Sequence, residues 1–331
     1  MKTQQRKTRN IQNESKRPSS YHFAFNKDKV IKKRYRIVKK IGEGGFGAVF
    51  EAFDSTLNKS IALKFFYPEI IKDKINLIRI KREINISQKI SDERIVKLFS
   101  LEKWRDTYFL VMELISGQTL KKYLLDKHRV KWKDFEVIFF QIINGLNALH
   151  KKGIIHRDIK PSNIMITKKE QIKILDFGLS KELSDSEKTS VTGVIMGSPQ
   201  YMSPEQIQGG ALDFRSDIYQ LGLLLYYSLS GVHPFESSSS TIDMMIKQLD
   251  EEPEKFSAHG VKVPNYVEFA IQKCLKTKKK QRFQSIDEII TLFKKGKVSF
   301  WAKLKSSVIC RPLRFVIPIF LIILSLFSAY F

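Results

Sequence analysis

The most informative stretch of the sequence is HRDIKPSN, residues 156–163. It places the carboxylate of Asp158 two residues before Lys160 and five before the amide of Asn163. A second isolated acid, Asp176, opens the triplet DFG after the apolar run IKIL. One carboxylate can accept a hydroxyl proton, while the other acid and the amide oxygen suit a hard cation such as Mg²⁺. The pattern therefore predicts phosphoryl transfer from a metal-bound nucleotide.

A glycine-rich motif lies upstream, in GEGGFGAV at residues 42–49. Glycines lack the Cβ atom that would keep backbone N–H groups away from phosphate oxygens. A dinucleotide-binding fold would place a helix after such a motif, whereas AVFEAFD is expected to continue as a strand. The motif therefore predicts a hairpin tip that closes over a nucleotide, with an ordinary glycine-rich turn as the alternative.

A single lysine, Lys64, lies within the apolar run IALKFF. An unpaired charge among apolar neighbours is costly, so its ammonium needs a carboxylate or phosphate partner. Glu83, in the amphipathic segment RIKREINISQKI, is the expected carboxylate if that helix packs against the sheet. A surface pair remains the alternative, because the same helix also carries Lys81 and Arg82.

Hydrophobic periodicity divides the chain into two parts. Short segments rich in Val, Ile, Phe and Tyr predict antiparallel strands over 35–41, 47–53, 60–66, 96–103 and 107–113, with one helix over 76–90. Beyond Gly117, apolar spacings of three and four predict helices over 118–126, 133–152, 216–231, 241–249, 264–275 and 285–294. The predicted fold is α+β, a small sheet lobe followed by a larger helical lobe.

The charge is concentrated at the two ends of the chain. The net charge of the 331 residues is +24; residues 1–40 hold 14 basic and 2 acidic residues, 276–314 hold 12 and 2, and 41–275 hold 32 and 30. Residues 1–34 predict a disordered basic arm, since they show almost no apolar periodicity. Nucleic acid is not an expected partner, because no aromatic platform interleaves these charges. Two cysteines exclude a disulfide framework and fit a reducing compartment.

Residues 315–331, FVIPIFLIILSLFSAYF, contain no charged side chain. As a helix they are somewhat short for a hydrocarbon core of about 30 Å, but a snorkelling Arg314 can extend them. They predict a single C-terminal transmembrane anchor, with a buried terminal helix as the alternative. The basic linker 297–314 would keep the body of the chain in the cytoplasm and attract anionic lipid headgroups.

In order and spacing these motifs resemble the eukaryotic-like (Hanks-type) serine/threonine protein kinases, in particular their bacterial membrane-anchored members. The resemblance covers about residues 35–295. It implies a two-lobed protein kinase fold, with an N-lobe over 35–115, a C-lobe over 116–296 and ATP in the cleft between them. It also implies Mg²⁺-dependent transfer of the γ-phosphate to Ser or Thr hydroxyls of protein substrates, with Mn²⁺ as an alternative ion.

The resemblance also implies a set of nucleotide contacts. The segment that would cover the phosphates consists of Gly42, Glu43, Gly44, Gly45, Phe46, Gly47 and Val49. Lys64, held by Glu83, would contact the α- and β-phosphates, and Ala62 and Val49 would enclose the adenine ring. Main-chain groups of Glu113 and Ile115 would meet the adenine edge, with Met112 as the gatekeeper.

The same resemblance implies the catalytic roles. Asp158 would be the catalytic base, and Lys160 would steady the transferring γ-phosphoryl group. Asn163 and Asp176 would hold the metal ion. A lysine at position 160 is typical of the serine/threonine members, so the expected acceptor is a Ser or Thr hydroxyl.

Residues 197–205, GSPQYMSPE, resemble the end of an activation segment, with Ser198 where threonine is usual. In this family Arg157 marks kinases whose loop is ordered by its own phosphorylation. Thr189, Ser190 or Thr192 is the expected site, with Arg157 and a basic neighbour such as Lys181 as partners of the phosphate. Such autophosphorylation implies transient self-association. A hydroxyl-rich loop without a regulatory role is the alternative.

Two structural supports complete the family pattern. Glu205 is expected to pair with Arg282, and Asp217 is expected to brace the catalytic loop. The alternative for both acids is an exposed ion pair that contributes little.

Two other functions fit parts of the pattern. A small-molecule phosphotransferase could share the fold, but the full activation segment and the intact HRD triplet argue against it. A catalytically silent scaffold that binds ATP is the rival from outside the enzymes.

Overall fold

The computed structural model describes residue 23 and the ranges 25–72, 74–176, 199–236 and 240–296, apart from a few helical side chains, among them that of Glu83. Several sequence predictions lie outside these residues: the start of the basic arm, the three activation-segment hydroxyls at 189, 190 and 192, Ser198, the linker 297–314 and the anchor 315–331. Within the described ranges, no helix combines the length and the apolar character needed to cross a bilayer.

The first lobe is built on a six-stranded antiparallel sheet of order β1-β2-β3-β4-β6-β5. The strands are β1 (Val30–Ile31), β2 (Tyr35–Gly44), β3 (Gly47–Asp54), β4 (Lys59–Phe66), β5 (Leu98–Trp104) and β6 (Thr107–Glu113). Two helices, α1 (Pro68–Lys72) and α2 (Lys74–Ser87), are inserted between β4 and β5. All five predicted strands and the predicted helix are confirmed, with ends that differ by at most three residues.

A cluster of packed aromatic side chains covers one face of this sheet. Phe65 lies 4.9 Å from Phe109 and 4.8 Å from Phe25, measured between ring centroids. Phe23 stacks on Tyr67 at 5.7 Å, and β1 pairs with the start of β2. The predicted disordered arm over 1–34 is therefore wrong in its last part. Its aromatic residues are too few to give a periodic pattern, but they bury against a sheet that the local sequence does not reveal.

The second lobe is helical, as predicted. Its helices are α3 (Leu120–Lys127), α4 (Trp132–His150), α5 (Pro204–Ile207), α6 (Phe214–Ser230), α7 (Thr241–Asp250), α8 (Asn265–Cys274) and α9 (Ile286–Lys295). Helix α6 is buried around most of its circumference and forms the centre of the lobe. The Asp213 side chain caps its first turn by accepting from the Arg215 amide, and Gly231 ends it in the left-handed conformation at φ 78°.

A small three-stranded sheet lies where the second lobe meets the first. Its strands are β7 (Gly117–Thr119), β8 (Ile164–Thr167) and β9 (Ile172–Ile174), all antiparallel. The β8–β9 hairpin places Asn163 just before one strand and Asp176 just after the other. A parallel bridge between Ile95 and Ile174 joins this hairpin to the first lobe. The fold thus brings together two polar residues that are thirteen positions apart in sequence.

Candidate active site

Asp217, a buried residue in the first turn of α6, supports the loop that carries Asp158. Its two carboxylate oxygens accept the amide N–H groups of His156 and Arg157, both at 2.7 Å. The ring of His150 at the end of α4 lies 2.8 Å from the same carboxylate. The predicted bracing role of Asp217 is confirmed, and the exposed-pair alternative is wrong because this side chain has no solvent exposure.

Two glutamines continue this support, and no pattern in the sequence predicts either of them. Gln220 Oε1 accepts the Ile159 amide at 2.8 Å, while its Nε2 donates to the Arg157 carbonyl at 2.9 Å. Gln206 donates to the same carbonyl, also at 2.9 Å. Together they fix Arg157 at φ 68°, a left-handed backbone conformation that costs energy for a residue with a Cβ atom. The loop is therefore rigid around its central acid.

Asp158 lies in a compact polar cluster with the other residues of its motif. Its Oδ2 atom is 2.7 Å from Lys160 Nζ and accepts from Asn163 Nδ2 at 2.9 Å. Asn163 also donates to the Asp158 carbonyl, and its own carbonyl accepts the Leu175 amide at 2.8 Å. The last bond ties this loop to the residue before Asp176. The predicted catalytic residues are therefore brought together.

His156 fixes the same junction from the buried side. Its ring Nε2 donates to the Leu175 carbonyl at 2.9 Å, because a carbonyl can only accept. Its Nδ1 accepts the Asp158 amide at 3.3 Å. Burial lowers the pKa of His156. The neighbouring acids act to raise it, but burial outweighs them, so the ring is neutral. Through these two hydrogen bonds the ring links the loop to the segment that leads to Asp176.

Lys64 reaches across the cleft between the lobes to Asp176. Its Nζ atom lies 2.7 Å from Asp176 Oδ1, although the two residues are 112 positions apart. Burial pushes the pKa of Asp176 up, but the Lys64 ammonium outweighs it and holds that pKa below its usual value. The carboxylate is therefore ionised. Glu83 lies on α2, and its predicted pairing with Lys64 stays a prediction, because its side chain is outside the described residues.

The glycine-rich segment is the tip of the β2–β3 hairpin, as predicted, with Gly44 opposite Gly47. No helix follows it, which excludes the dinucleotide-binding arrangement. Gly47 is required by close packing, because a Cβ atom there would lie 1.8 Å from the Phe65 carbonyl oxygen. The Glu43 carboxylate accepts from Tyr67 at 2.7 Å and from Lys40 at 2.6 Å. The tip of the hairpin therefore packs against β4, the strand that carries Lys64.

The strand register gathers the predicted adenine contacts on one face of the sheet. Val49 pairs with Lys64, and Ala62 pairs with Met112 on β6. Residues two apart on a strand share a face, so all four side chains belong to the face that carries Lys64. The Glu113 amide donates to Lys97 O, and its carboxylate binds Lys173 at 2.9 Å. Ile115 follows β6 and packs against the core.

Glu205 and Arg282 form the buried ion pair that the sequence predicts. Arg282 Nη1 and Nη2 donate to the two carboxylate oxygens at 2.9 and 2.8 Å. Arg282 is 1% exposed and Glu205 is 7% exposed, so the alternative of a surface pair is wrong. Burial raises the pKa of Glu205, but Arg282 outweighs it and the net shift is downward. The pair locks α5 to the segment before α9.

The oxygen donors of Asp176 and Asn163 suit a divalent cation whose remaining coordination positions are filled by a bound ligand. Asp176 and Asn163 supply a carboxylate and an amide, which are hard donors of the kind that Mg²⁺ prefers. Within the described residues, no group of three or more His, Cys, Asp or Glu side chains is placed to hold a metal ion alone.

The two lobes, with Lys64, Asp158 and Asp176 gathered at the cleft between them, form the kind of arrangement that suits phosphoryl transfer. Residues 35–292 match the family model of the protein kinase domain. The chain belongs to this family.

Comparison with known proteins supports this family assignment. The chain is 33% identical over 261 residues to a probable serine/threonine-protein kinase of Clostridium acetobutylicum, covering 79% of this chain and 39% of that protein. It is also 33% identical over 261 residues to the serine/threonine-protein kinase PrkC of Bacillus subtilis, covering 79% of this chain and 40% of that protein. It thus spans about two fifths of the length of these relatives. The PknI kinase domain of Mycobacterium tuberculosis matches at a TM-score of 0.65 and 20% identity, over 82% of this chain and 99% of that one, which bears on the fold alone.

Proposed function

We propose that the protein is an ATP- and Mg²⁺-dependent serine/threonine protein kinase, with Mn²⁺ as an alternative ion. The observation that carries the proposal is the contact of Lys64 with Asp176 across the cleft at 2.7 Å, beside the Asp158, Lys160 and Asn163 cluster. A base, two cations and a pair of oxygen donors thus surround one space between the lobes. Phosphoryl transfer needs this set of groups.

The residues of the site would act mainly by positioning and by charge. Lys64 would bind the α- and β-phosphates, with Asp176 and Asn163 holding the metal, which neutralises charge on the phosphates. Asp158 would orient the acceptor hydroxyl and take its proton, while Lys160 stabilises the transferring phosphoryl group. The rigid mounting of Asp158 on Asp217 supports this role, because a fixed base lowers the entropic cost of alignment.

The nucleotide would lie under the β2–β3 hairpin, against the sheet face that carries Val49, Ala62 and Met112. The Glu113 amide is already bonded to Lys97, which leaves the Glu113 carbonyl and the Ile115 main chain as the proposed partners of the adenine edge. The seven residues from Gly42 to Val49 named above would cover the phosphates.

Protein Ser and Thr hydroxyls are the proposed acceptors. The relatives named above are serine/threonine-protein kinases, and Lys160, the residue type that the resemblance links to such kinases, lies 2.7 Å from Asp158. We further propose autophosphorylation at Thr189, Ser190 or Thr192 during transient self-association. Mass spectrometry of active enzyme with unmodified residues at all three positions would refute it.

We also propose that residues 315–331 anchor the kinase to the membrane, with the kinase domain in the cytoplasm and the basic linker 297–314 on anionic lipid. The supporting observation is the uncharged run of seventeen residues behind a basic flank. Deletion of 315–331 should abolish flotation of the chain with vesicles, whereas unchanged flotation would contradict the anchor.

The kinase activity is tested by transfer of labelled γ-phosphate from ATP to a basic acceptor protein, followed by identification of the labelled amino acid. The wild type should transfer the labelled phosphate to Ser or Thr, and a chelator of divalent ions should stop this transfer. Lys64→Met should lose about 100-fold or more of the rate, since it removes a charge that binds phosphates. Lys59→Met, which changes an exposed lysine on the same strand, is the matched control.

Other outcomes separate the rival functions. Labelling of a small metabolite but of no protein would favour a small-molecule phosphotransferase. ATP binding without any transfer by the wild type would favour a scaffold. Either result would overturn the proposed function.

A further inference from the structure

A strongly basic loop, KHRVKWK at residues 127–133, joins α3 to α4. It carries four Lys or Arg side chains and no acid in seven residues, and all four are exposed. Asp126 and Asp134 flank it. None of these basic residues belongs to the active site described above. A concentration of like charge on the surface creates a local potential that attracts anionic partners.

The C-terminal end of α9 lies against this loop. The ring of Trp132, the first residue of α4, is 5.3 Å from the ring of Phe293, and its Nε1 donates to the Tyr266 hydroxyl at 3.2 Å. Lys294 and Lys295 follow Phe293 directly and are exposed. The two stretches therefore form one surface, the basic end face, which consists of Lys127, Arg129, Lys131, Lys133, Lys294 and Lys295.

The chain leaves the described structure from this same surface. Gly296 ends α9, and eighteen residues with five further basic side chains separate it from the proposed anchor at 315–331. Eighteen residues with the dimensions of a random coil would span about 23 Å on average, so the proposed anchor would hold the lobe close to the bilayer. The tether raises the effective concentration of lipid headgroups at this surface. Anionic headgroups in the cytoplasmic leaflet complement its charge.

Exposed apolar side chains border the basic loop on both sides. Leu125 on α3 is 55% exposed, and Val137 on α4 is 64% exposed. Val137 lies one turn after Lys133, so the two side chains share a face of the helix. A mixture of cations and apolar side chains is typical of surfaces that rest on a membrane interface.

We propose that the basic end face docks the kinase domain on anionic lipid headgroups. The proposal rests on the C-terminal anchor of the proposed function, and it adds a second membrane contact on the folded domain itself. The docking surface lies at the N-terminal end of α4, whereas His150 at the other end contacts Asp217 below the catalytic loop. Nineteen helical residues span about 28 Å, so docking leaves the cleft clear of the bilayer.

The test is lysine footprinting of the full chain in lipid nanodiscs. One set of discs contains only zwitterionic phosphatidylcholine, and the other contains about one third phosphatidylglycerol. With anionic lipid, acylation of the lysines of the basic end face should slow by about threefold or more. Lys151, exposed at the opposite end of α4, and Lys39, exposed on the sheet, are the internal controls and should react equally in both discs. High salt should remove the protection, because it screens surface charge.

A pair of charge-reversal variants completes the test. Lys131→Glu with Lys133→Glu should abolish the protection of Lys294 and Lys295. The matched control, Lys168→Glu with Lys169→Glu, reverses two exposed lysines in the β8–β9 turn and should leave it intact.

Each failure has a separate meaning. Equal acylation in both discs, with the chain present in each, would overturn the docking surface and leave the anchor standing. A chain that does not co-purify with neutral discs would overturn the anchor and the docking that rests on it. Protection by RNA or by an acidic protein, but not by anionic discs, would assign the surface to a different partner and refute the proposal.

Discussion

The buried pair of Glu205 and Arg282 gives the sharpest prediction about stability. All five N–H donors of the Arg282 guanidinium are used: three bind carbonyl oxygens and two bind the Glu205 carboxylate, at 2.7 to 2.9 Å. The guanidinium also lies 4.8 Å from the centroid of the Tyr219 ring. Arg282→Met removes all of these bonds and leaves an ionised carboxylate without its cation.

The expected cost follows from the burial of both partners. Removing one member of a buried ion pair costs about 3 to 5 kcal/mol, because the remaining charge stays desolvated. This is a large part of the 5 to 15 kcal/mol by which domains are typically stable. Replacement of both members, Glu205→Leu with Arg282→Met, should be less destabilising than the sum of the single changes by about 2 kcal/mol or more, since no lone charge remains.

The pH dependence has a definite sign. In the wild type the pKa of Glu205 is lowered, so its contribution is complete above the ordinary value of 4.5 and is lost as the pH falls through the folded-state pKa. In Arg282→Met, burial alone would raise that pKa. Protonation would then relieve the lone charge, so the deficit of the variant relative to the wild type should shrink as the pH falls from 7 toward 4.5.

The assay is urea unfolding of the full chain in mild detergent at several pH values. Arg36→Met, which changes an exposed arginine in a 3.5 Å surface pair, is the control and should cost about 0.5 kcal/mol or less. Strictly additive losses in the double variant, or a deficit of Arg282→Met that is constant with pH, would refute the reasoning.

Two further predictions concern the active site. Gly47→Ala should raise the KM for ATP severalfold and destabilise the hairpin, since its Cβ atom would overlap the Phe65 carbonyl oxygen; unchanged ATP kinetics would contradict this. Asp217→Asn should lower kcat by about 100-fold with little change in KM for ATP, because one side-chain oxygen cannot accept the amides of both His156 and Arg157 in the present geometry; a change in KM alone would contradict a positioning role.

The regular elements were largely predictable from the sequence, because they follow hydrophobic periodicity. The strand that carries Lys64 and the long central helix α6 were predicted within two residues of their observed ends. Strand β7 was missed, because its three residues pair with β8 and have no pattern of their own. The packing of Phe23 and Phe25 was missed for a similar reason, since only the folded sheet offers them a surface.

The site was predictable where its chemistry uses charged residues. Asp158 and Asp176 stand out by the spacing of their motifs, and Asp217 follows from the resemblance; the structure places all three at or beside the loop 156–163. Gln206 and Gln220 were missed, because an uncharged amide inside a helical pattern carries no signal of its buried hydrogen bonds. Charged motifs mark the chemistry, whereas the neutral residues that fix the loop emerge only from the fold.

The most direct test of the central claim compares nucleotide binding with turnover in Asp158→Asn. If Asp158 is the base beside a nucleotide held by Lys64 and Asp176, the variant should bind ATP with Mg²⁺ within about threefold of the wild-type affinity. Its rate of γ-phosphate transfer to protein should fall by about 100-fold to 10,000-fold. A transfer rate equal to that of the wild type would contradict the account.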